Sequence, residues 1–327
     1  MNAVSYEELH RRLAPEIEAA RAAALALLDP AAPAVREGVA ALLEHRTFTY
    51  PLSVLPLIVH AAETGDPRPA LPLAVVHDLW WTSACCLDDL ADSQGACPAG
   101  DLGQSEALLA TVLAGTTLPL LVVQAQPVPE PVRALLAAEV VKCSIGAAEG
   151  QLRDLRGQVR GATRASVTEV YLGKSGAPYS MITAMAALLA GADGRRVALW
   201  REFGDVFGVL WQLFNDQEDI LSGRGEDLRN GTVTYLLACA LEDPAPGAAA
   251  HLTSLHRAAT HSAPARTELT RLLLAPDVLS RYEQDLDAFR HRAHRVLDDL
   301  GGDDAHLPLL RDLVDRSSRM LLRKGEG

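Results

Sequence analysis

The most informative segment of this 327-residue chain is Leu71–Asp92, LPLAVVHDLWWTSACCLDDLAD. Its apolar residues recur at three- and four-residue spacing, which indicates a helix, and they cover most of the helix circumference. A helix of this kind lies in the core of a bundle rather than on its surface. A second such stretch, Val197–Leu221, follows later in the chain. The sequence therefore predicts two buried central helices, each ending in a burst of acidic residues.

The rest of the chain has the same helical character. Long stretches rich in Ala and Leu alternate with clusters of Pro, Gly and Asp that mark turns. Only TLPLLVV, residues 117–123, has the composition of a strand. No internal repeat is present, which argues against a solenoid. The sequence predicts a single all-α domain over residues 1–327.

Composition limits the function classes. Apolar residues make up 49 % of the chain and charged residues 22 %, as in globular proteins. The net charge of −12 argues against a nucleic-acid partner. The N-terminus lacks the apolar core of a signal peptide, and no long uncharged apolar run predicts a membrane span, so we expect a cytoplasmic protein. Five cysteines without a CxxC pair predict free thiols rather than a zinc site.

The two acidic bursts carry the chemistry. Residues four apart share a helix face, so Asp88 faces the same way as Asp92, and Asn215 the same way as Asp219. Carboxylate and amide oxygens are ligands for Mg²⁺, which also binds substrate phosphates. A diphosphate neutralised by Mg²⁺ is a good leaving group. The predicted metal ligands are Asp88, Asp89, Asp92, Asn215, Asp216 and Asp219, of which Asp88, Asp92 and Asp216 are also predicted to be catalytic.

Other charged residues give weaker signals. Lys174 opens a further apolar helix and is predicted to hold a diphosphate oxygen as a catalytic cation. Arg229 and Arg224, which follow the second burst, are further candidates for the diphosphate. The acidic run at residues 298–304 contains two glycines and is interpreted as a loop. The basic C-terminal segment Arg316–Lys324 either closes over the diphosphate or is a solvated tail, and we favour the tail.

Taken together, these motifs resemble the trans-isoprenyl diphosphate synthase (polyprenyl synthetase) family of the class I terpenoid synthase fold. The resemblance covers residues 40–240 and has five ordered parts. They are DDLAD at 88–92, a DDxxD motif; GQLRDL at 150–155, similar to GQ-x-x-DL; Lys-Ser at 174–175; QLFNDQED at 212–219, similar to FQ-x-x-DD-x-x-D; and DLRNGTVT at 227–234, similar to DL-R-x-GK-x-T. It implies an antiparallel helical bundle of the isoprenoid synthase type around a deep central cavity, three Mg²⁺ ions, an allylic prenyl diphosphate substrate and a homodimer. It also adds Gln212 to the diphosphate-binding candidates.

The chain departs from the family where elongating members bind isopentenyl diphosphate. The GGKRxRP segment is replaced by residues 45–51, HRTFTYP, in which Arg46 is the one candidate remnant. The Arg-Arg-Gly after the first motif is replaced by residues 93–98, SQGACP, and a lysine of the last segment by Thr232. Asn215 stands where elongating enzymes have Asp. We interpret these changes as loss of the acceptor half of the site.

The first expectation is therefore a terpene synthase that ionises a C15 or C20 prenyl diphosphate and cyclises or quenches the cation. Alternatives are a prenyltransferase that uses a non-isopentenyl acceptor such as an indole, a chain-elongating prenyl diphosphate synthase, and a non-catalytic partner subunit. Small residues below the first motif leave the depth that the C15 or C20 chain requires. The predicted cavity lining consists of Trp81, Ser83, Ala84, Phe207 and Trp211.

Overall fold

The computed structural model describes residues 5–28, 32–45, 48–92, 102–242, 247–301 and 305–323, apart from the side chains of residues 91 and 92. Within those ranges every regular element is helical. The α-helices are α1 (Tyr6–Leu25), α2 (Pro33–His45), α3 (Leu55–Thr64), α4 (Leu71–Asp92), α5 (Gln104–Val112), α6 (Leu118–Gln124), α7 (Glu130–Leu155), α8 (Arg164–Tyr171), α9 (Ala177–Leu189), α10 (Gly194–Ser222), α11 (Glu226–Asn230), α12 (Tyr235–Leu241), α13 (Ala248–Ala259), α14 (Ala263–Leu273), α15 (Pro276–Leu300) and α16 (Leu307–Ser317). Short 3₁₀ turns cover Leu52–Val54 and Arg68–Ala70, and π-helical turns cover Leu113–Thr117 and Leu172–Gly176.

Local side-chain chemistry explains several helix starts. Ser5 accepts a hydrogen bond from the backbone N–H of Glu8 at 3.2 Å, which caps α1. Thr163 and Ser166 bond reciprocally at the start of α8, in the manner of a capping box. Thr234 accepts from the N–H of Leu237 and begins α12. These caps satisfy backbone donors that have no partner inside the helix.

The chain divides into two compact units. The first comprises residues 1–144, 180–204 and 300–310. Its core includes residues 55–61 of α3 and 73–80 of α4, all of which are buried. Helix α4 contacts α1, α5, α6 and the first π-helical turn. Burial of residues 73–80 on every side explains why apolar residues cover most of the circumference of α4.

The second unit comprises residues 145–179, 205–299 and 311–327. Here α8 packs on α12, and α13 packs on α14. The hydroxyl of Tyr282 on α15 donates to the carbonyl of Leu213 on α10 at 2.9 Å. Arg164 pairs with both Asp285, at 2.7 Å, and Glu242. These contacts join α8, α10, α12 and α15 around the second acidic motif.

The all-α prediction is confirmed, whereas two local predictions need correction. Residues 117–123 are helical, because the π-helical turn directly before Pro119 lets the helical stretch 104–124 continue past a residue that has no N–H. Asp298 and Asp299 belong to the last turns of α15 rather than to a loop, and the helix ends at Gly301 with a φ of 65°. Cys143 and Cys239 are free thiols, as expected, while Cys97 lies outside the described residues. The single domain stays a prediction.

Two helical stretches are long and apolar enough to cross a membrane by composition, residues 68–90 and 104–124. Within their most apolar windows 61 % and 50 % of the residues are buried in the protein. Buried core helices pass the same test, so these stretches are weak evidence for a span. The expectation of a cytoplasmic protein without a membrane span stays a prediction.

Burial shifts the pKa values of two adjacent residues on α4 in opposite directions. Burial lowers the pKa of His77 from its ordinary 6.5 to about 4. Burial also raises the pKa of Asp78 to about 6. Two groups lower this pKa in part: the Arg21 guanidinium, which lies 3.2 Å from the Asp78 carboxylate, and Ser53, which donates a hydrogen bond to it. Burial disfavours the charged form in both cases. The folded state therefore binds fewer protons at His77 than the unfolded state does near pH 5, and more at Asp78.

These shifts predict opposite contributions to stability. As the pH rises from 4 to 6, the Asp78 contribution to the free energy of unfolding falls and the His77 contribution rises, each by about 2 kcal/mol. Asp78→Asn removes the Asp78 contribution. The free energy of unfolding of this variant, relative to that of wild type, should therefore rise with pH between 4 and 6. Urea unfolding at several pH values measures the difference, with the exposed Asp277→Asn as control. A difference that does not change with pH would contradict the assignment.

Candidate active site

The first acidic motif ends α4 in the first unit. Asp88 and Asp89 are half-buried, and the side chain of Asp92 lies outside the described residues. One turn before Asp88, Ser83 is buried and its hydroxyl donates to the carbonyl of Thr111 at 2.8 Å. Ser83 therefore packs against the end of α5. Ala84 beside it is half-buried.

The aromatic residues predicted to line the cavity lie in both units. In the first unit, Trp81 stacks on His77 with ring centroids 6.1 Å apart. In the second unit, Phe207 and Trp211 on α10 stack at 6.3 Å, and Tyr179 packs edge-on against Phe207 at 5.1 Å. Phe207 is fully buried and Trp211 nearly so. These rings form packed clusters, and their role as a cavity lining stays a prediction.

Asp216 is a buried carboxylate of the second motif. It is 5 % exposed, and each of its oxygens accepts a hydrogen bond. Oδ2 accepts from the hydroxyl of Tyr171, and Oδ1 accepts from the Gln212 amide nitrogen at 3.0 Å. The Gln212 amide oxygen in turn accepts from the hydroxyl of Ser175 at 2.8 Å. The chain from Ser175 to Asp216 explains how a carboxylate is buried without being left unsatisfied.

The electrostatics of Asp216 follow from this environment. Burial raises the pKa of Asp216 to about 6, while the hydrogen bonds from Tyr171 and Gln212 and the charge of Lys174 lower it. Burial and the Asp216 carboxylate raise the pKa of Tyr171 well above its ordinary value, so the phenol stays protonated and donates. Burial also raises the pKa of Asp227, and the nearby Asp216 and Asp219 raise it further. The site therefore concentrates negative charge that a cation would relieve.

Lys174 lies in the π-helical turn between α8 and α9. Its Nζ is 2.6 Å from Oδ2 of Asp154, and both side chains are largely buried. The turn packs against α7 at two glycines: a Cβ on Gly150 would lie 2.6 Å from the Lys174 nitrogen, and a Cβ on Gly173 would lie 2.6 Å from Cα of Gly150. Only glycine permits this approach. The two glycines therefore set the position of Lys174 relative to Asp154.

Asp219, the last residue of the motif, holds the start of α11. Asp219 is buried and accepts from the backbone N–H groups of Glu226 at 3.0 Å and Asp227 at 3.4 Å. Arg224, which is exposed, lies 3.9 Å from Asp219. Arg229 is also exposed. The structure thus places Arg224 beside the second motif, and diphosphate binding by Arg224, Arg229 and Gln212 stays a prediction.

Gln217, inside the second motif, holds the C-terminal segment. It is fully buried; its amide nitrogen donates to the carbonyl of Arg319 at 3.1 Å and its amide oxygen accepts from the N–H of Leu321 at 2.7 Å. Leu322 is buried, and Arg323 pairs with Glu283 at 2.6 Å. The favoured interpretation of this segment as a solvated tail is therefore wrong as far as residue 323.

The donor chemistry of these residues fits magnesium. No group of three His, Cys, Asp or Glu side chains is arranged as a metal cage within the described part of the chain. Mg²⁺ does not require such a cage, because it is usually bound by one or two carboxylates together with waters and substrate phosphates. Asp216 uses two of its roughly four acceptor positions, which leaves capacity for a further contact. The six predicted metal ligands stay predictions.

A family model described as Polyprenyl synthetase matches residues 57–271, more than half of the chain. The chain belongs to the polyprenyl synthetase family. This family member is 29 % identical over 201 residues to a protein named geranylgeranyl diphosphate synthase from Methanosarcina mazei, and the match covers 57 % of this chain and 61 % of that protein. It thus spans about three fifths of that relative's length.

Solved structures show the same fold for this polyprenyl synthetase family member. A geranylgeranyl pyrophosphate synthetase from Pyrococcus horikoshii superposes with a TM-score of 0.77 at 21 % identity, covering 96 % of this chain and 98 % of that one. A polyprenyl synthase from Caulobacter crescentus, complexed with calcium and isoprenyl diphosphate, gives a TM-score of 0.77 at 18 % identity, covering 97 % and 98 %. The expected family and the all-α fold are confirmed.

Sequence reasoning missed three residues of the candidate site. Asp154 stands inside the GQ-x-x-DL segment but gave no sign of pairing with Lys174. Tyr171 lies three residues before Lys174, and its partner Asp216 is 45 positions away. Gln217 gave a usable signal. The residues three and four positions away on the same helix face are apolar, and a polar residue in such a setting is either exposed or buried with partners.

The close approach at Gly150 yields a prediction. Gly150→Ala should lower the free energy of unfolding by about 1–3 kcal/mol, because the new Cβ overlaps backbone atoms of the Lys174 turn. It should also weaken binding of magnesium with inorganic diphosphate. The control is Gly194→Ala, where a Cβ meets nothing within 4 Å. Unfolding and calorimetric titration measure both effects, and equal behaviour of the two variants would contradict the packing role of Gly150.

Proposed function

We propose that this protein is a magnesium-dependent prenyl diphosphate synthase that ionises an allylic prenyl diphosphate of C15 or C20 length and extends it. The family match and the name of the Methanosarcina mazei relative support elongation more than the terpene synthase that the sequence first favoured. The structural observation behind the proposal is the cluster of Lys174, Asp154, Asp216 and Gln212 in the second unit. Its carboxylates and cation suit a metal-bound diphosphate.

The residues of the chain have separate tasks in this proposal. Asp88, Asp89 and Asp92 of the first motif and Asn215, Asp216 and Asp219 of the second would hold Mg²⁺, which supplies charge neutralisation to the departing diphosphate. Lys174 binds a diphosphate oxygen, and its pairing with Asp154 orients the ammonium group. The low exposure of Asp216 and Lys174 strengthens these electrostatic interactions by excluding water.

A terpene synthase is the second candidate, and a specific observation favours it. The basic segments that hold isopentenyl diphosphate in elongating relatives are replaced by HRTFTYP at residues 45–51 and SQGACP at residues 93–98. Arg46 and residues 93–98 lie outside the described residues. The same loss suits a transfer of the prenyl cation to an acceptor such as an indole. All these reactions share ionisation of an allylic diphosphate and differ in the acceptor.

Product analysis separates these reactions. The purified protein with Mg²⁺ is given geranyl, farnesyl or geranylgeranyl diphosphate, each with and without isopentenyl diphosphate. A longer diphosphate that forms only with isopentenyl diphosphate is the expected result. A hydrocarbon or alcohol formed without it would replace the proposal by the terpene synthase. Absence of product in every reaction would contradict both and direct the search to other acceptors.

A matched pair of variants tests the first motif. Asp88→Ala should reduce turnover by about 10²-fold or more, because stabilisation of the leaving diphosphate is lost. Asp299→Ala, in the exposed aspartate pair at the end of α15, should leave turnover near wild type. Circular dichroism checks that both variants keep their helical content. Unchanged turnover in Asp88→Ala would remove the first motif from the reaction.

We also propose that the protein is a homodimer. In the first unit, α5, α6 and α7 carry exposed apolar side chains: Leu108, Leu109, Val112, Leu121, Leu135 and Val141. Exposed apolar side chains are suited to an association surface, and a symmetric dimer would cover the same residues on both copies. Leu109→Glu and Leu135→Glu together should give a monomer by light scattering, whereas Leu27→Glu should not. A monomeric wild type would contradict the dimer.

A further inference from the structure

The hydroxyl of Tyr171 makes two contacts inside the second unit. It donates to Oδ2 of Asp216, and it accepts from the backbone N–H of Tyr235 at 3.0 Å. Tyr171 is 4 % exposed, so water does not compete for these bonds. Accepting an N–H orients the phenol proton away from that donor and toward the carboxylate. The hydroxyl is therefore held in a single hydrogen-bonded arrangement.

Tyr171 also joins three helices at one atom. It is the last residue of α8, and the π-helical turn that carries Lys174 begins at the next residue. Asp216 lies on α10, and Tyr235 is the first residue of α12. The side chain of Tyr171 therefore ties the segment that carries the cation to the helix that carries the carboxylate.

The Asp216 carboxylate is fixed from both sides. Tyr171 holds Oδ2, and Gln212, itself bonded to Ser175, holds Oδ1. Ser175 belongs to the same π-helical turn as Lys174. Two independent hydrogen-bond routes thus connect that turn to Asp216. Two donors on one carboxylate fix both its position and its plane, which a single donor cannot do.

We propose that Tyr171 is a positioning residue that holds the Asp216 carboxylate in register with Lys174, so that the two together bind a magnesium-bound diphosphate. The inference rests on the proposed function for its ligand, and it assigns Tyr171 a role that none of the motifs gives it. Tyr171 acts through Asp216 and does not itself contact the diphosphate.

A matched pair of variants separates positioning from general packing. Tyr171→Phe removes the hydroxyl that reaches Asp216. Tyr235→Phe removes a hydroxyl that bonds Asp285 at 3.0 Å and keeps the backbone N–H that reaches Tyr171. The two rings are neighbours, with centroids 6.4 Å apart, and both residues are buried. Both variants keep the ring and lose one hydrogen bond to a carboxylate. Tyr171→Phe also removes the acceptor of the Tyr235 N–H, so its loss of stability should be the larger of the two.

Calorimetric titration with Mg²⁺ and inorganic diphosphate is the measurement. Tyr171→Phe should weaken binding by about tenfold, because one hydrogen bond to a charged group is lost. Tyr235→Phe should stay within about twofold of wild type, since its lost bond lies outside the Asp216 environment. Equal affinities of Tyr171→Phe and wild type, or equal losses in both variants, would overturn the proposal.

A double variant tests the route of the effect. In a protein that carries Asp216→Asn, adding Tyr171→Phe should change the affinity by less than about twofold, because the group through which Tyr171 acts is already altered. A full additive loss would overturn the proposal. Wild-type protein that does not bind magnesium with diphosphate at all would overturn the proposed function, and this inference with it. Binding by wild type with no loss in Tyr171→Phe defeats the inference alone.

Discussion

Burying the carboxylate of Asp216 is the constraint on which the second unit depends. Removing a charged group from water costs several kcal/mol unless partners replace the lost hydration. The chain supplies them from two sides, through Tyr171 and Gln212, and places Lys174 near enough to lower the pKa of the group. The ends of α8, α10 and α12 meet where these partners are needed. The need to supply partners to the buried Asp216 carboxylate therefore explains both the packing of these helix ends and the chemistry of the site.

Glycine makes the second contribution, because it lets backbones approach where side chains would separate them. The turn that carries Lys174 lies against α7 at Gly150 and Gly173, closer than any other residue allows. Lys174 then meets Asp154 on that same helix. A flexible side chain such as lysine loses conformational entropy when it is held. Here the backbone of Lys174 packs against α7, the helix that also carries its partner Asp154. Part of the entropy cost is therefore met by folding rather than by ligand binding.

Sequence periodicity was sufficient for the fold class but not for the connections at the site. The helices α4 and α10 were foreseen because their apolar positions repeat regularly, and the acidic bursts at their ends stood out against that pattern. The bond between Tyr171 and Asp216 was not foreseen, since contacts between distant residues leave no periodic trace. The choice of acceptor was also difficult. A few missing basic residues favoured a terpene synthase, while similarity summed over residues 57–271 favours the elongating relatives.

The contact between Gln217 and the C-terminal segment has a consequence for how the protein is made. The partners of the buried Gln217 amide stand 102 and 104 positions later, at Arg319 and Leu321. A ribosome-bound chain that ends before them leaves the Gln217 amide without these two partners, which is unfavourable for a buried group. That side of the motif is therefore completed only after residues 319–321 have emerged from the ribosome.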